Sequence, residues 1–179
     1  MESIMNKDEA QKFKIGSIWH FECRNKKTGE LKWEETKHNV VTDEGINALL
    51  NIMFHGATQI NTWYILLYET NTTPTGSTTY AVPVFTECTA YDEATRPEFN
   101  EGAAASKSIT NSANKARFTF NAAKTIYGGA LVGGGTGAPT KGNTAGGGTM
   151  FCASLLDSSK AVTDDDYIDV TVTISGADS

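Results

Sequence analysis

From residue 13 onward, apolar and polar side chains alternate with a period of two. Phe13, Ile15, Trp19, Phe21 and Cys23 share one parity and Lys14, His20, Glu22 and Arg24 the other, with Ile18 as the interruption. Successive strand side chains point to opposite faces, so this pattern predicts a strand with one buried face. The turn-like run NKKTGE follows, and Leu31 and Trp33 then resume the apolar parity while Lys32, Glu34 and Thr36 take the other. Together they predict a β-hairpin, with Gly29 as the left-handed residue of its loop.

Past Val41 the period changes. Ile46, Leu49, Leu50, Met53 and Phe54 keep i, i+3, i+4, i+7, i+8 spacing, which predicts an amphipathic helix near residues 43–55 with that face buried. Thr42 is placed to cap it, Asp43 and Glu44 put negative charge at its positive dipole end, and Val41 and Ile46 stand at the two staple positions. Gly56 suits a left-handed stop. A helix under about 12–15 residues is marginal alone in water. It therefore needs a sheet to pack on.

The remaining segments read mostly as strands. Thr62–Glu69 (TWYILLYE) is apolar on both faces, as expected of a central strand covered on each side, one of them by the helix. Asn71–Thr79 is a loop by composition, and Tyr80–Tyr91 is strand-like but carries Pro83, which confines that part to an edge or an irregular path. Glu93–Gly102 and the run AAASKSITNSANK read as an extended crossing with turns. ARFTFNA, TIYGGALV, TMFCASLL and DYIDVTVTIS supply further strands; in the last, Ile168, Val170, Val172 and Ile174 alternate with Asp169, Thr171, Thr173 and Ser175. The pattern predicts a mainly β chain: a single-domain antiparallel β-sandwich, jelly-roll-like, over residues 13–179, with one short helix and a glycine-rich loop at 128–148. Residues 1–12 are polar apart from Ile4 and Met5, and read either as a frayed terminus or as an arm that orders on a neighbouring subunit.

Charge and chemistry narrow the function by exclusion. A net charge of −6 and a pI near 5.0 argue against a nucleic-acid partner, which needs clustered Lys and Arg. Lys26 and Lys27 form the only small basic cluster, at a solvated hairpin tip. The N-terminus has acids where a signal peptide has a basic flank, and no apolar run reaches membrane-spanning length, so a soluble protein made in a cytosol, with no membrane partner, is expected. Cys23, Cys88 and Cys152 lack CxxC or His-paired spacing and read as reduced, buried thiols. The glycines of 128–148 lack the GxxxxGK[ST] run into a helix that cradles phosphate. Asp164, Asp165, Asp166 and Asp169 lack the spacing of a calcium loop and read as a solvated turn. His20 and His38 face each other across the hairpin at most, and Glu34 and Glu35 point to opposite faces of a strand. No catalytic residue, cofactor or metal is expected, and the chain does not read as an enzyme.

Several segments in order carry a resemblance: GSIWHFECRNKKTGELKWEE, NVVTDEGINALLNIMF, TWYILLYE, TAYDEATRPEFNEG, SITNSANKARFTFNAAKTIYGGALV and DDDYIDVTVTIS. Across nearly its whole length the chain resembles a family of tailed-bacteriophage virion proteins, the capsid decoration (cement) or minor structural proteins. It departs from that pattern at Asp164–Asp166, where a Gly-Asp turn is usual, and in an expanded Gly133–Gly148 stretch. The resemblance implies a non-enzymatic protein, made in the host cytoplasm, that sits on the capsid exterior as a homodimer or homotrimer. There it clamps neighbouring subunits of the major capsid protein. The contact is expected at the arm and first hairpin, through Ile4, Met5, Lys12, Phe13, Lys26 and Lys27. The alternative is a neck, tail or receptor-binding component built on the same sandwich.

Overall fold

The computed structural model describes residues 13–178. They form β1 (Phe13–Asn25), β2 (Leu31–His38), β3 (Val40–Val41), α1 (Asp43–Phe54), β4 (Trp63–Tyr68), β5 (Ser108–Thr110), β6 (Ala116–Thr119), β7 (Lys124–Gly133), β8 (Thr149–Val162) and β9 (Asp166–Asp178). Two antiparallel sheets pack face to face as a single-domain β-sandwich. One has the order β2-β1-β9-β5 with β6 also on β9, and the other the order β3-β8-β7-β4.

The two clearest period-two patterns in the sequence turn out to be partners. β1 runs antiparallel to β9 along its whole length, which sets Trp19 opposite Val172, Phe21 opposite Val170 and Cys23 opposite Ile168. All six are fully buried. The register is fixed because a slip of one residue would turn both apolar rows to water. Ser17 continues the inward row, and its hydroxyl accepts a hydrogen bond from Trp19 Nε1 at 3.0 Å. The facing sheet contributes Ile65, Leu67, Leu131, Phe151 and Leu156 to the same core.

β4 is covered on both faces, as its sequence predicts, but the helix is not its cover. Its outward residues Leu66 and Tyr68 pack with Ala130, Val132 and Met150 beneath Tyr80 and Phe85. The Phe85 ring stacks on Tyr68 at 4.2 Å. Tyr80–Tyr91 is therefore a covering layer and not a strand: it touches the sheets through isolated bridges, Glu87 with Tyr68 and Tyr91 with Phe120. That segment and the chain following it to residue 99 close the free edge of β4, where Cys88 N donates to Leu67 O and Ile65 N to Pro97 O, each at 2.8 Å. An unpaired edge so close to the core is thereby removed.

β7 includes Gly128–Gly133, so the glycine-rich loop proper begins at Gly134. Gly128 stands at a register shift in the β7–β8 ladder. A Cβ there would lie 2.1 Å from Ser154 O and 2.3 Å from Tyr68 Oη. Tyr68 Oη uses that space to donate to Ser154 O at 2.8 Å.

α1 keeps the ends its sequence specifies. Thr42 Oγ1 accepts from Gly45 N at 3.0 Å, and Gly56 follows the cap at φ +70°. Its packing differs from the expectation. Gly45 is the one fully buried helix residue, and a Cβ on it would meet Phe151 O at 2.5 Å. Leu49 and Ile52, on the same face, are half-buried. Leu50, Met53 and Phe54 are exposed, at 48, 64 and 82%. The apolar arc is wider than the available surface, because the helix docks its small Gly45 side on β8 at the end of the sandwich. The rest of the arc faces solvent.

Candidate functional site

Of the sequence-predicted contact residues, Phe13, Lys26 and Lys27 fall within the described residues. Ile4, Met5 and Lys12 lie outside the described residues, and Phe13 opens β1 with its backbone paired to Asp178. Lys26 turns back onto the protein: its Nζ donates to Phe120 O at 2.5 Å and stands 3.9 Å from Asp92. Lys27 is exposed at the tip and pairs with Asp165 at 2.8 Å.

A different surface emerges around α1. Its start is clamped to the sandwich, since Glu44 Oε2 accepts from Met150 N at 2.7 Å and from Tyr80 N at 2.8 Å. Asp43 N donates to Gly76 O at 2.8 Å. The helix is thus held rigidly while its C-terminal half presents Leu50, Met53 and Phe54 to water. The covering segment tied to that first turn carries a second apolar feature, Val82 at 66% and Val84 at 47% exposure. Val84 has φ +56°, a left-handed conformation that strains a β-branched residue. Phe85 is anchored inward on Tyr68, so the turn holds both valines outward. Beneath the helix, an apolar cleft of about 350 Å³ opens between the sheets, lined by Ile15, Leu49, Ile52, Trp63, Leu131 and Phe151 among others. Single exposed apolar residues are ordinary; here three share one helix face, and two more share the turn fastened to the helix's first residues.

The glycine-rich loop is fastened by Arg96. Arg96 is 1% exposed. Its guanidinium pairs with Glu87 at both oxygens, Nε to Oε1 at 2.9 Å and Nη2 to Oε2 at 2.6 Å. It also donates to Ala138 O at 2.8 Å and Asn143 O at 2.9 Å. Burial works against the charge of Arg96, but the Glu87 hydrogen bonds outweigh it and hold the guanidinium more firmly protonated than usual. Glu87 Oε2 accepts in addition from Gly142 N at 2.8 Å. One buried pair thus joins the covering segment to the loop.

The acidic run divides among separate cations. Asp165 pairs with Lys27, Asp166 with Lys32 at 2.5 Å, and Asp169 with Arg117 through both oxygens at 2.7 and 2.8 Å. His20 stands opposite Thr36 and His38 opposite Ile18, so the two histidines are diagonal and not facing. The three cysteines are free and buried, and burial pushes each thiol up to about 12, far from the reactive thiolate.

Sequence reasoning missed the exposed helix face and Arg96. The first was visible as an apolar arc too broad for one contact, five positions in twelve helical residues. The second had no signal, because a lone arginine in a polar stretch does not declare its partners. Among the described residues, no helix is long and apolar enough to cross a membrane. Compared with known proteins, the chain matches no protein-family model and no curated protein sequence.

Proposed function

We propose that this protein is a structural component of a tailed-bacteriophage virion that binds the outer capsid surface and stabilises contacts between major capsid protein subunits, without catalysis. The observation that carries the reading is the rigidly clamped helix whose Leu50, Met53 and Phe54 face solvent. It stands beside the family resemblance of the sequence. A sandwich closed at the β4 edge supplies a stiff body, and an apolar anchor ringed by polar surface is the composition of an interface core. Acting as a homodimer or homotrimer, each copy contributes a modest interface, and simultaneous engagement of adjacent capsid subunits multiplies the effect. The acidic balance suits a position away from packaged DNA.

Quantifying the protein in purified particles tests the assignment. A copy number on the scale of the major capsid protein supports it. A copy number on the scale of a tail or neck protein replaces it with the neck, tail or receptor-binding reading.

A further inference from the structure

The outward face of the first hairpin brings together a histidine and two glutamates from three places in the sequence. His20 and Glu22 are two apart on β1 and so share a face, and Glu34 on β2 lies directly opposite Glu22. His20 Nε2 stands 3.8 Å from Glu22 Oε2 and 3.8 Å from Glu34 Oε2. One ligand atom of each residue falls within 4.8 Å of the others. Directly opposed carboxylates repel across a sheet, and here Lys115 and Arg24 offset the charge of Glu22 while His20 stands beside Glu34.

The imidazole is oriented from behind. His20 Nδ1 lies 2.9 Å from Thr36 Oγ1, the residue opposite it on β2. With Nδ1–H donating to that hydroxyl, the lone pair of Nε2 is directed at the two carboxylates. Metal-bound histidines are held in this way, by a partner on the far ring nitrogen. All four residues sit on paired strands, which position ligands more firmly than loops do.

We propose that His20 Nε2, Glu22 Oε2 and Glu34 Oε2 form a binding site for a divalent transition cation, best suited to Zn²⁺. One nitrogen and two oxygens match its preferences, and water completes the coordination. Tetrahedral bonds of about 2.1 Å place ligand atoms roughly 3.4 Å apart, so small adjustments of the His20 ring and of the exposed Glu34 close the set.

The competitor is internal. Lys115 Nζ is bonded to Glu22 Oε2, and Arg24 Nη2 is 3.3 Å from Oε1. The ion binds by displacing the Lys115 ammonium from Oε2. Affinity is accordingly limited by Lys115 and rises when it is removed.

Titration calorimetry of the full chain with Zn²⁺ tests this, with circular dichroism verifying that each variant is folded. Wild type binds one ion per chain. His20→Ala abolishes binding, Thr36→Val weakens it by about tenfold, and Lys115→Met tightens it. His38→Ala and His55→Ala leave it unchanged. No Zn²⁺ uptake by wild type, uptake unaffected by His20→Ala, or weakening by Lys115→Met would each overturn the site.

Discussion

The outer faces of the two sheets are finished in opposite ways. On the sheet that holds β1 and β9 the outward residues are polar and hydrogen-bonded to one another at the surface: His20 with Thr36, Lys115 with Glu22, Arg117 with Asp169. On the sheet that holds β4, β7 and β8 they are Leu66, Tyr68, Ala130, Val132 and Met150, kept dry beneath Tyr80 and Phe85. The polar face needs only strands. The dry face needs a chain segment laid over it, and that segment needs a buried guanidinium to hold it. One consequence is that the second face owes its structure to a few irreplaceable groups, whereas the first spreads its interactions over several pairs that each keep one partner partly exposed.

That contrast breaks most readily at Arg96. Arg96→Met leaves Glu87 buried without its partner and is expected to lower unfolding free energy by about 3–5 kcal/mol. Urea denaturation measures it, and limited proteolysis should then cleave within 134–148. The double variant Arg96→Met with Glu87→Leu is expected to recover much of the loss, since an apolar pair in place of a buried ion pair is often neutral. Gly128→Ala comes next, at about 1–3 kcal/mol by thermal unfolding, because its Cβ meets the Ser154 carbonyl, a backbone atom that cannot turn aside.

The sheet that holds β1 and β9 yields less and responds to pH. The carboxyl of Asp166 is held below its ordinary 3.8: burial raises it, but Lys32 and Thr163 outweigh burial. Lys115, with Arg24, lowers that of Glu22 below 4.5 against burial. In both, folding favours the ionised form, so the stabilisation is full above those ordinary values and is lost as pH falls through the lower folded ones. Wild type is expected to lose Tm steeply below about pH 4, and Glu22→Gln with Asp166→Asn to show a flatter acid profile. Smallest is Arg117→Met. With Arg117 more than half exposed, its bidentate pair with Asp169 is worth about 1 kcal/mol or less. A loss there as large as at Arg96 would erase the distinction between the two faces.

What could be read from residues alone follows the same division. β1 and β9 were legible because one face is wet and the other dry, which leaves a period of two. The helix ends were legible from Thr42 and Gly56, whose roles are local. Residues 80–99 were legible only as an irregular path at Pro83 and a crossing after it, because a layer held by Phe85 on Tyr68 and Arg96 on Glu87 has no period. The helix face was misread for a related reason. A spacing of 3.6 says that Leu50, Met53 and Phe54 are apolar on one side, but not that the sheet ends before reaching them. Likewise His20 and Glu22 share a parity in plain view, yet only the hairpin register places Glu34 beside them.

The exposed helix face is the point on which the proposed role depends. Co-sedimentation of the purified protein with capsids stripped of it measures that dependence, comparing wild type with a Met53→Lys, Phe54→Lys variant, whose charges suit a helix C-terminus. Both side chains are well exposed, so the variant is expected to unfold at the same temperature as wild type. The account predicts saturable binding of wild type and loss of binding in the variant. Equal binding by both would contradict it.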